Sequence, residues 1–267
     1  VGAIAEGAPK DAGLNGFFPK AITVRAGDKV RFNLQGFGVA YFPKRGDGAP
    51  SLVVPDATRP VAGAVDAAGA PFWFNGQPNL LVNPGVFFGS KSGQAYTGNQ
   101  ALSQGVPMGE GRPKPFVVRF PKAGTYTYYD AFHPGVTGTV RVVGRKGKVA
   151  SRKADAARAR KQVAAAVKAA KELARQKAPA NTIIAGPDKG ATTLFRFTPA
   201  AATVKVGQPV TLTMSKGTSE NHTFTFGNDL KALAKFGENF IAPLPGSDPK
   251  GPPTLHFDPI QGYASEP

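Results

Sequence analysis

GTYTYYDAFHPGVTGTV, residues 124–140, carries the run TYTYY and opens the run TVRVV, with a Pro/Gly-containing connection between them. Alternating aromatic, β-branched and polar residues on both sides of a turn read as two antiparallel strands of one hairpin. The connection holds an acid and an imidazole three residues apart, Asp130 and His133. Such a pair can make a structural hydrogen bond, or serve as two ligands of a residual Zn²⁺ or Cu²⁺ site. Two protein ligands rarely suffice without water or a partner chain. No plausible nucleophile is spaced beside the pair, so it does not read as a general-base arrangement.

Upstream, the segment FFPKAITVRAGDKV (17–30) aligns with FTPAAATVKVGQPV (197–210) at a constant offset of 180. Phe17, Pro19, Val24, Gly27 and Val30 find their equivalents in Phe197, Pro199, Val204, Gly207 and Val210. Both copies alternate apolar and polar residues and place Gly before the next strand, as half-buried antiparallel strands require. The period is too long and the copies too few for a solenoid, so duplicated domains are expected.

Copy one continues through VRFNL and VAYF into a Gly/Pro/Asn-rich excursion at 44–115. It returns as PFVVRF, a KAG turn and the hairpin. Strand pairs on both sides of one long connection suit a Greek-key β-sandwich. Phe72, Trp73, Phe74, Phe87 and Phe88 are expected to pin the excursion onto that sandwich, with a ligand-binding platform as the alternative.

Gly 33 and Pro 25 of 267 residues favour a turn-rich β architecture, and the length allows two domains. No apolar run reaches the roughly 18–20 residues that cross a bilayer. With no cysteine there are no disulfides and no thiolate ligands, and the redox compartment stays open. The chain starts at Val1 without Met, as after a cleaved leader or at an arbitrary boundary.

The net charge of +16 is uneven: residues 144–177 hold twelve basic side chains against Asp155 and Glu172. This stretch, SRKADAARARKQVAAAVKAAKELARQKAP (151–179), is built of strong helix formers and has no Pro before Pro179. It reads as a helix of about 25 residues capped by Ser151 and docked by Val163, Val167, Ala170 and Ala174. It can act as a spacer, or present Arg158, Lys161, Lys168, Lys171 and Arg175 to an anionic partner or cell surface. No aromatic is interleaved to stack on bases, so nucleic acid is not expected.

With these residues in view, the chain resembles the cupredoxins, the blue-copper fold of plastocyanin and azurin, over 17–143 and again over 193–267. The resemblance implies an all-β protein: two Greek-key cupredoxin-like sandwiches joined by one long basic helix. It divides the chain into 1–143, a helical linker 144–180, and 181–267. A type 1 copper centre takes two imidazoles, a thiolate and a weak axial thioether. In copy one, Gly38 stands at the first-His position, Asp130 at the Cys position, His133 is kept, and Val136 replaces Met. A carboxylate is a hard ligand and cannot supply the soft copper–sulfur bond, so domain 1 is expected to be metal-free.

In copy two, ENHTFTF keeps His222 at the first-ligand position, with His256 a stray histidine. Copy one's spacing projects the second ligand loop beyond Pro267, so the second sandwich is expected to be incomplete over these residues. A longer protein, a strand from another subunit, and a reduced domain are three explanations. The resemblance implies a secreted or cell-surface protein that is not an enzyme. Domain 1 would be a scaffold, and domain 2 a type 1 copper electron-transfer domain with a redox partner protein and copper as its cofactor. The alternative is a copper-free structural or binding module of an extracellular assembly, completed by strands of a neighbouring subunit. Three histidines are too few for a multicopper oxidase or nitrite-reductase arrangement.

Overall fold

A computed structural model of the chain describes residues 5–65, 69–107, 114–216, 218–220, 222–227, 241–248 and 254–258. Parts of the expected excursion (66–68 and 108–113) and of the expected second domain (217, 221, 228–240, 249–253 and 259–267) lie outside the described residues. The chain is mostly β, with several sheets and, among the described residues, two helices. In chain order, the first half contains β1 (Ala12–Leu14), β2 (Ala21–Arg25), β3 (Lys29–Phe32), β4 (Ala40–Phe42), β5 (Val53–Pro60), β6 (Pro78–Val82) and the short α1 (Pro84–Phe87). Then come β7 (Leu102–Ser103), β8 (Phe116–Arg119), β9 (Gly124–Asp130), β10 (Thr137–Val143) and α2 (Arg152–Leu173). The remainder holds β11 (Thr182–Ala185), β12 (Thr192–Leu194), β13 (Phe197–Thr198), β14 (Thr211–Met214), β15 (Ile241–Pro243) and β16 (Leu255–Phe257).

Two compact units form, each discontinuous in sequence: Val1–Pro50 with Phe88–Phe224, and Ser51–Phe87 with Thr225–Pro267. In the first, a five-stranded sheet runs β2-β10-β9-β4-β7, and β3 pairs with β8. The hairpin that opened the sequence reading is the centre of the larger sheet. β9 and β10 pair antiparallel from Thr137↔Tyr129 to Val142↔Gly124, and β2 lies parallel to β10. Alternation then sorts the side chains: Val30 and Phe32 of β3, Phe116 and Val118 of β8, and Tyr126, Tyr128, Val140 and Val142 of the hairpin share one core. Phe42 and Phe120 are completely enclosed. Phe42 stacks on Tyr128 at 5.1 Å between ring centres, and Phe32 meets both rings edge-on at 5.1–5.2 Å. Each such aromatic contributes about 1.5–3 kcal/mol by leaving water, plus up to ~1.5 kcal/mol from ring geometry. Gly138 is required by this packing, because a Cβ there would lie 2.2 Å from the Tyr128 ring.

Copy two is built differently. Its counterpart of β2, residues 201–205, is not a strand. β14 pairs in parallel with β11, whose other side holds β13. In copy one, β2 is fixed by β10 and β3 by β8. Among the described residues no strand takes the place of β8 beside β14. The local chain is nevertheless alike: both copies have a cis proline, Phe18–Pro19 and Thr198–Pro199, and a left-handed turn glycine, Gly27 at φ +101° and Gly207 at φ +82°.

α2 covers 22 residues, with the Ser151 side chain accepting from the Ala154 N–H at 3.2 Å. Its buried residues are Ala166, Ala170 and Leu173, whereas Val163 and Val167 of the expected stripe are only half-buried. Ala170 and Leu173 pack with Ala12 of β1 and Leu194 of β12. The Thr192 hydroxyl donates to the Ala166 carbonyl at 3.0 Å, and Arg196 donates to the Ala174 carbonyl at 3.0 Å.

The second unit is one sheet in the order β15-β16-β6-β5, pairing a stretch of the excursion with the last described residues. Within the expected excursion, Val53–Pro60 and Pro78–Val82 are thus strands of this sheet. Of the aromatics in the excursion, Phe72 and Phe87 are buried, while Trp73 and Phe88 are exposed. No helix among the described residues is long and apolar enough to cross a membrane.

Candidate functional site

The hairpin connection folds back on itself because its backbone groups find partners within the loop. Asp130 N–H donates to the Val136 carbonyl at 2.9 Å, and Val136 N–H to the His133 carbonyl at 3.1 Å, with Gly135 supplying the left-handed residue. β4 runs alongside, with Ala40 opposite Asp130. Val39 N–H donates to Asp130 Oδ1 at 3.0 Å, as does Phe132 N–H. The positions read as a degenerate metal corner, 38, 130, 133 and 136, are therefore drawn to one end of the sheet.

The centre of this corner is an ion cluster. Asp130 Oδ2 lies 2.7 Å from His133 Nδ1, and Glu220 Oε1 lies 3.0 Å from His133 Nε2. Glu220 Oε1 also accepts from Asn15 Nδ2 at 2.7 Å, which lies within reach of Thr193 Oγ1 and Ser219 Oγ as well. Asp130, His133, Asn15 and Ser219 are almost fully buried, and the Glu220 side chain is 16% exposed. Burial is the strongest single influence on His133 and disfavours its cation. The hydrogen bonds and negative charges of Asp130 and Glu220 together outweigh it, raising the pKa to about 9. His133 is then an imidazolium at neutral pH, donating from both ring nitrogens to two carboxylates.

That arrangement determines what the corner can do. An imidazole with both nitrogens protonated has no lone pair to ligate a metal or accept a substrate proton. Tested against a thiolate copper centre, the donor set does not fit. Gly38 and Val136 offer no ligand atom, Asp130 is a hard carboxylate already accepting three hydrogen bonds, and His133 is doubly engaged. Among the described residues no group of three or more His, Cys, Asp or Glu side chains is arranged to hold a metal ion.

His222 does not join the cluster. Its ring packs against Gly186, where a Cβ would stand 1.8 Å from Nε2, and that buried nitrogen has no hydrogen-bond partner among the described residues. His256 belongs to β16 in the other unit, with Nδ1 3.3 Å from Asn79 Oδ1, and burial lowers its pKa. Arg158, Lys161, Lys168, Lys171 and Arg175 are all exposed on or just after α2, with Arg158 paired to Asp155.

Sequence reasoning missed Asn15 and Glu220. Glu220 stands two residues before His222 in ENHTFTF, where attention went to the imidazole. Nothing in the local pattern announces that a carboxylate near 220 meets an imidazole at 133. No family model matches the chain, and no curated protein matches it.

Proposed function

We propose that the chain is a non-enzymatic structural or binding module whose copy-one domain is a metal-free Greek-key sandwich of the cupredoxin type. One observation carries this reading: the retained histidine, His133, is locked between Asp130 and Glu220 inside a buried cluster. The ligand corner of the resembled family here serves as a tie, joining the hairpin to the N-terminal segment through Asn15 and to copy two through Ser219 and Glu220. Breaking one partner of such a buried ion cluster costs about 3–5 kcal/mol, so its role in this reading is cohesion. The deciding experiment is titration of purified protein with Cu²⁺ and with Zn²⁺ while following the His133 ring by NMR. The ring signals are expected to stay unchanged; metal-dependent loss of the two carboxylate contacts would overturn the reading.

In the same reading the protein works outside the cytoplasm, as the resembled family does, within an assembly of subunits. The long basic helix α2 sets the spacing of its neighbours and offers Arg158, Lys161, Lys168, Lys171 and Arg175 to an anionic surface. Weakened retention on anionic vesicles after charge reversal of Lys161 and Lys168 is the expected signature, steepest at low salt.

A second reading, electron transfer by type 1 copper in domain 2 with a redox partner protein, is favoured by one observation. His222 Nε2 is buried without a hydrogen-bond partner, as a ligand awaiting an ion would be. The described residues supply no thiolate or second imidazole beside it, so no chemical step is derived through copper. An intense blue absorption band in protein isolated with its metal would establish that reading.

A further inference from the structure

We propose that the cavity between α2 and the end of the copy-one sandwich binds a small amphiphile: an apolar chain that ends in a carboxylate. This goes beyond the module reading and does not depend on it. None of Asn15, Asp130, His133 and Glu220 lines the cavity, so it is a site apart from the ion cluster.

The cavity has a volume of about 710 Å³, inside the range of roughly 300–1,000 Å³ typical of small-ligand sites. Its floor is apolar, formed by Ile22 of β2, Val30 and Phe32 of β3, Leu34 just after β3, and Tyr128 of β9. Its roof is one face of α2, with Ala159, Val163 and Val167 at successive steps of four residues. Here the apolar stripe of the helix acquires a use. α2 is anchored further along, by Ala166, Ala170 and Leu173, and pinned by Gln162, whose Oε1 accepts from the Lys20 N–H at 3.0 Å. Val163 and Val167 are therefore carried over the sandwich without closing on it, and they stay half-buried. Protein interiors normally pack to the density of organic crystals. Facing apolar walls left this far apart are matched to a third apolar body that fits between them.

Charge selects the head group. Three charged side chains line the cavity, Arg31, Arg160 and Glu6, and all three are solvent-exposed, which places them at its rim. Arg31 comes from the floor and Arg160 from the roof. Arg31 Nε donates to Asn33 Oδ1 at 3.0 Å. Among the described residues neither arginine has an ion-pair partner, and neither does Glu6. Two guanidinium groups against one carboxylate favour an anion, and the planar fork of each matches a carboxylate with two parallel hydrogen bonds. A compact inorganic anion at the rim would leave the apolar walls bare. An uncharged hydrocarbon would leave the arginines unmatched. A carboxylate with an apolar chain meets both.

The probe is dodecanoate, kept below its micellar concentration and added to the full chain, with binding followed by calorimetry and by NMR of the methyl groups. One molecule per chain is expected. The signals of Ile22, Val163 and Val167 should shift to saturation, while those of Val54 and Val82 in the other unit stay in place. Val163→Trp fills the space from the roof and should weaken binding by at least about tenfold. Circular dichroism and the thermal midpoint show whether that variant is folded. Should it not fold, Arg160→Glu on the exposed side of the helix carries the test. It should weaken dodecanoate about fivefold and leave dodecanol, the uncharged chain of the same length, unaffected. Lys161→Glu, one residue on and outside the cavity, should change the affinity less than about twofold. Equal losses at 160 and 161 would mean that the carboxylate merely collects on the basic helix, and would overturn the proposal. So would binding that does not saturate, methyl shifts that miss the cavity, or dodecanol binding as tightly as dodecanoate.

Discussion

Phe32 and Leu212 stand at the same offset of 180, just past the aligned segments 17–30 and 197–210, yet one is 9% exposed and the other 37%. The contrast runs the length of the duplicated segment, ending with Leu34 at 9% and Met214 at 44%. Alternation of apolar and polar residues specifies which face of a strand is to be buried. It does not supply the layer that buries it. In copy one that layer is β8 with the β9–β10 hairpin. In copy two, among the described residues, β14 pairs with β11 alone, and β13 lies on the far side of β11.

The sharpest way to break this comparison is truncation at matched positions. Phe32→Ala should lower unfolding free energy by about 3–5 kcal/mol in a denaturant titration, because it leaves a cavity among Phe42 and Tyr128. Leu212→Ala should change it by no more than about 0.5 kcal/mol. Similar losses at both sites would show that copy two is buried in solution.

The histidines make a second matched pair. His133→Ala leaves Asp130 and Glu220 facing each other without a cation and should cost about 3 kcal/mol. His222→Ala removes an imidazole whose Nε2 has no hydrogen-bond partner among the described residues and should cost under about 1 kcal/mol in the same titration.

His133 also sets a pH dependence. Its folded pKa, about 9, exceeds the ordinary value of 6.5, so the native state holds the proton more tightly than the unfolded chain. The stabilisation is fully present below pH 6.5 and disappears as pH rises toward 9. The change should amount to roughly 3 kcal/mol, and His133→Gln should flatten it. A flat profile between pH 6.5 and 9 in the unmodified protein would mean that the histidine is neutral.

The smallest effect tests cooperativity. Gly27 and Gly207 both adopt left-handed φ, and no described atom lies within 4 Å of where a Cβ would stand, so alanine at either meets backbone strain alone, about 1 kcal/mol. If copy two unfolds together with copy one, both variants lower the global midpoint alike. If Gly207→Ala leaves the midpoint in place while speeding exchange at Thr211–Met214, copy two opens by itself.

Much of this was readable beforehand from particular residues. The hairpin at 124–140 was legible because period-two alternation and a Pro/Gly connection act over a few residues. So was the N-terminal cap of α2 at Ser151. The buried face of α2 was read as Val163, Val167, Ala170 and Ala174; the protein buries Ala170 together with Ala166 and Leu173 and leaves the other three half-buried. The apolar stripe does not by itself say which of its residues will meet β1 and β12, which come from other parts of the chain. The pairing of β6 with β16 was not legible either, since its register, Leu81↔His256, spans the chain and depends on where both ends are carried. The candidate site divides the same way. Asp130 and His133 were visible as a pair three residues apart, while Asn15 and Glu220 were not, because their meeting with His133 is long-range.

Sequence alone determined the local grammar of this protein: the strand periodicity, the turn glycines, the repeated segment and the pairing of an acid with an imidazole three residues on at Asp130 and His133. Tertiary structure decided the rest. It made His133 an imidazolium by setting a second carboxylate against it, and it gave copy one a core while the matching residues of copy two stand exposed among the described residues. Periodicity is a property of neighbours in the chain, whereas burial and ionisation depend on groups that arrive from elsewhere.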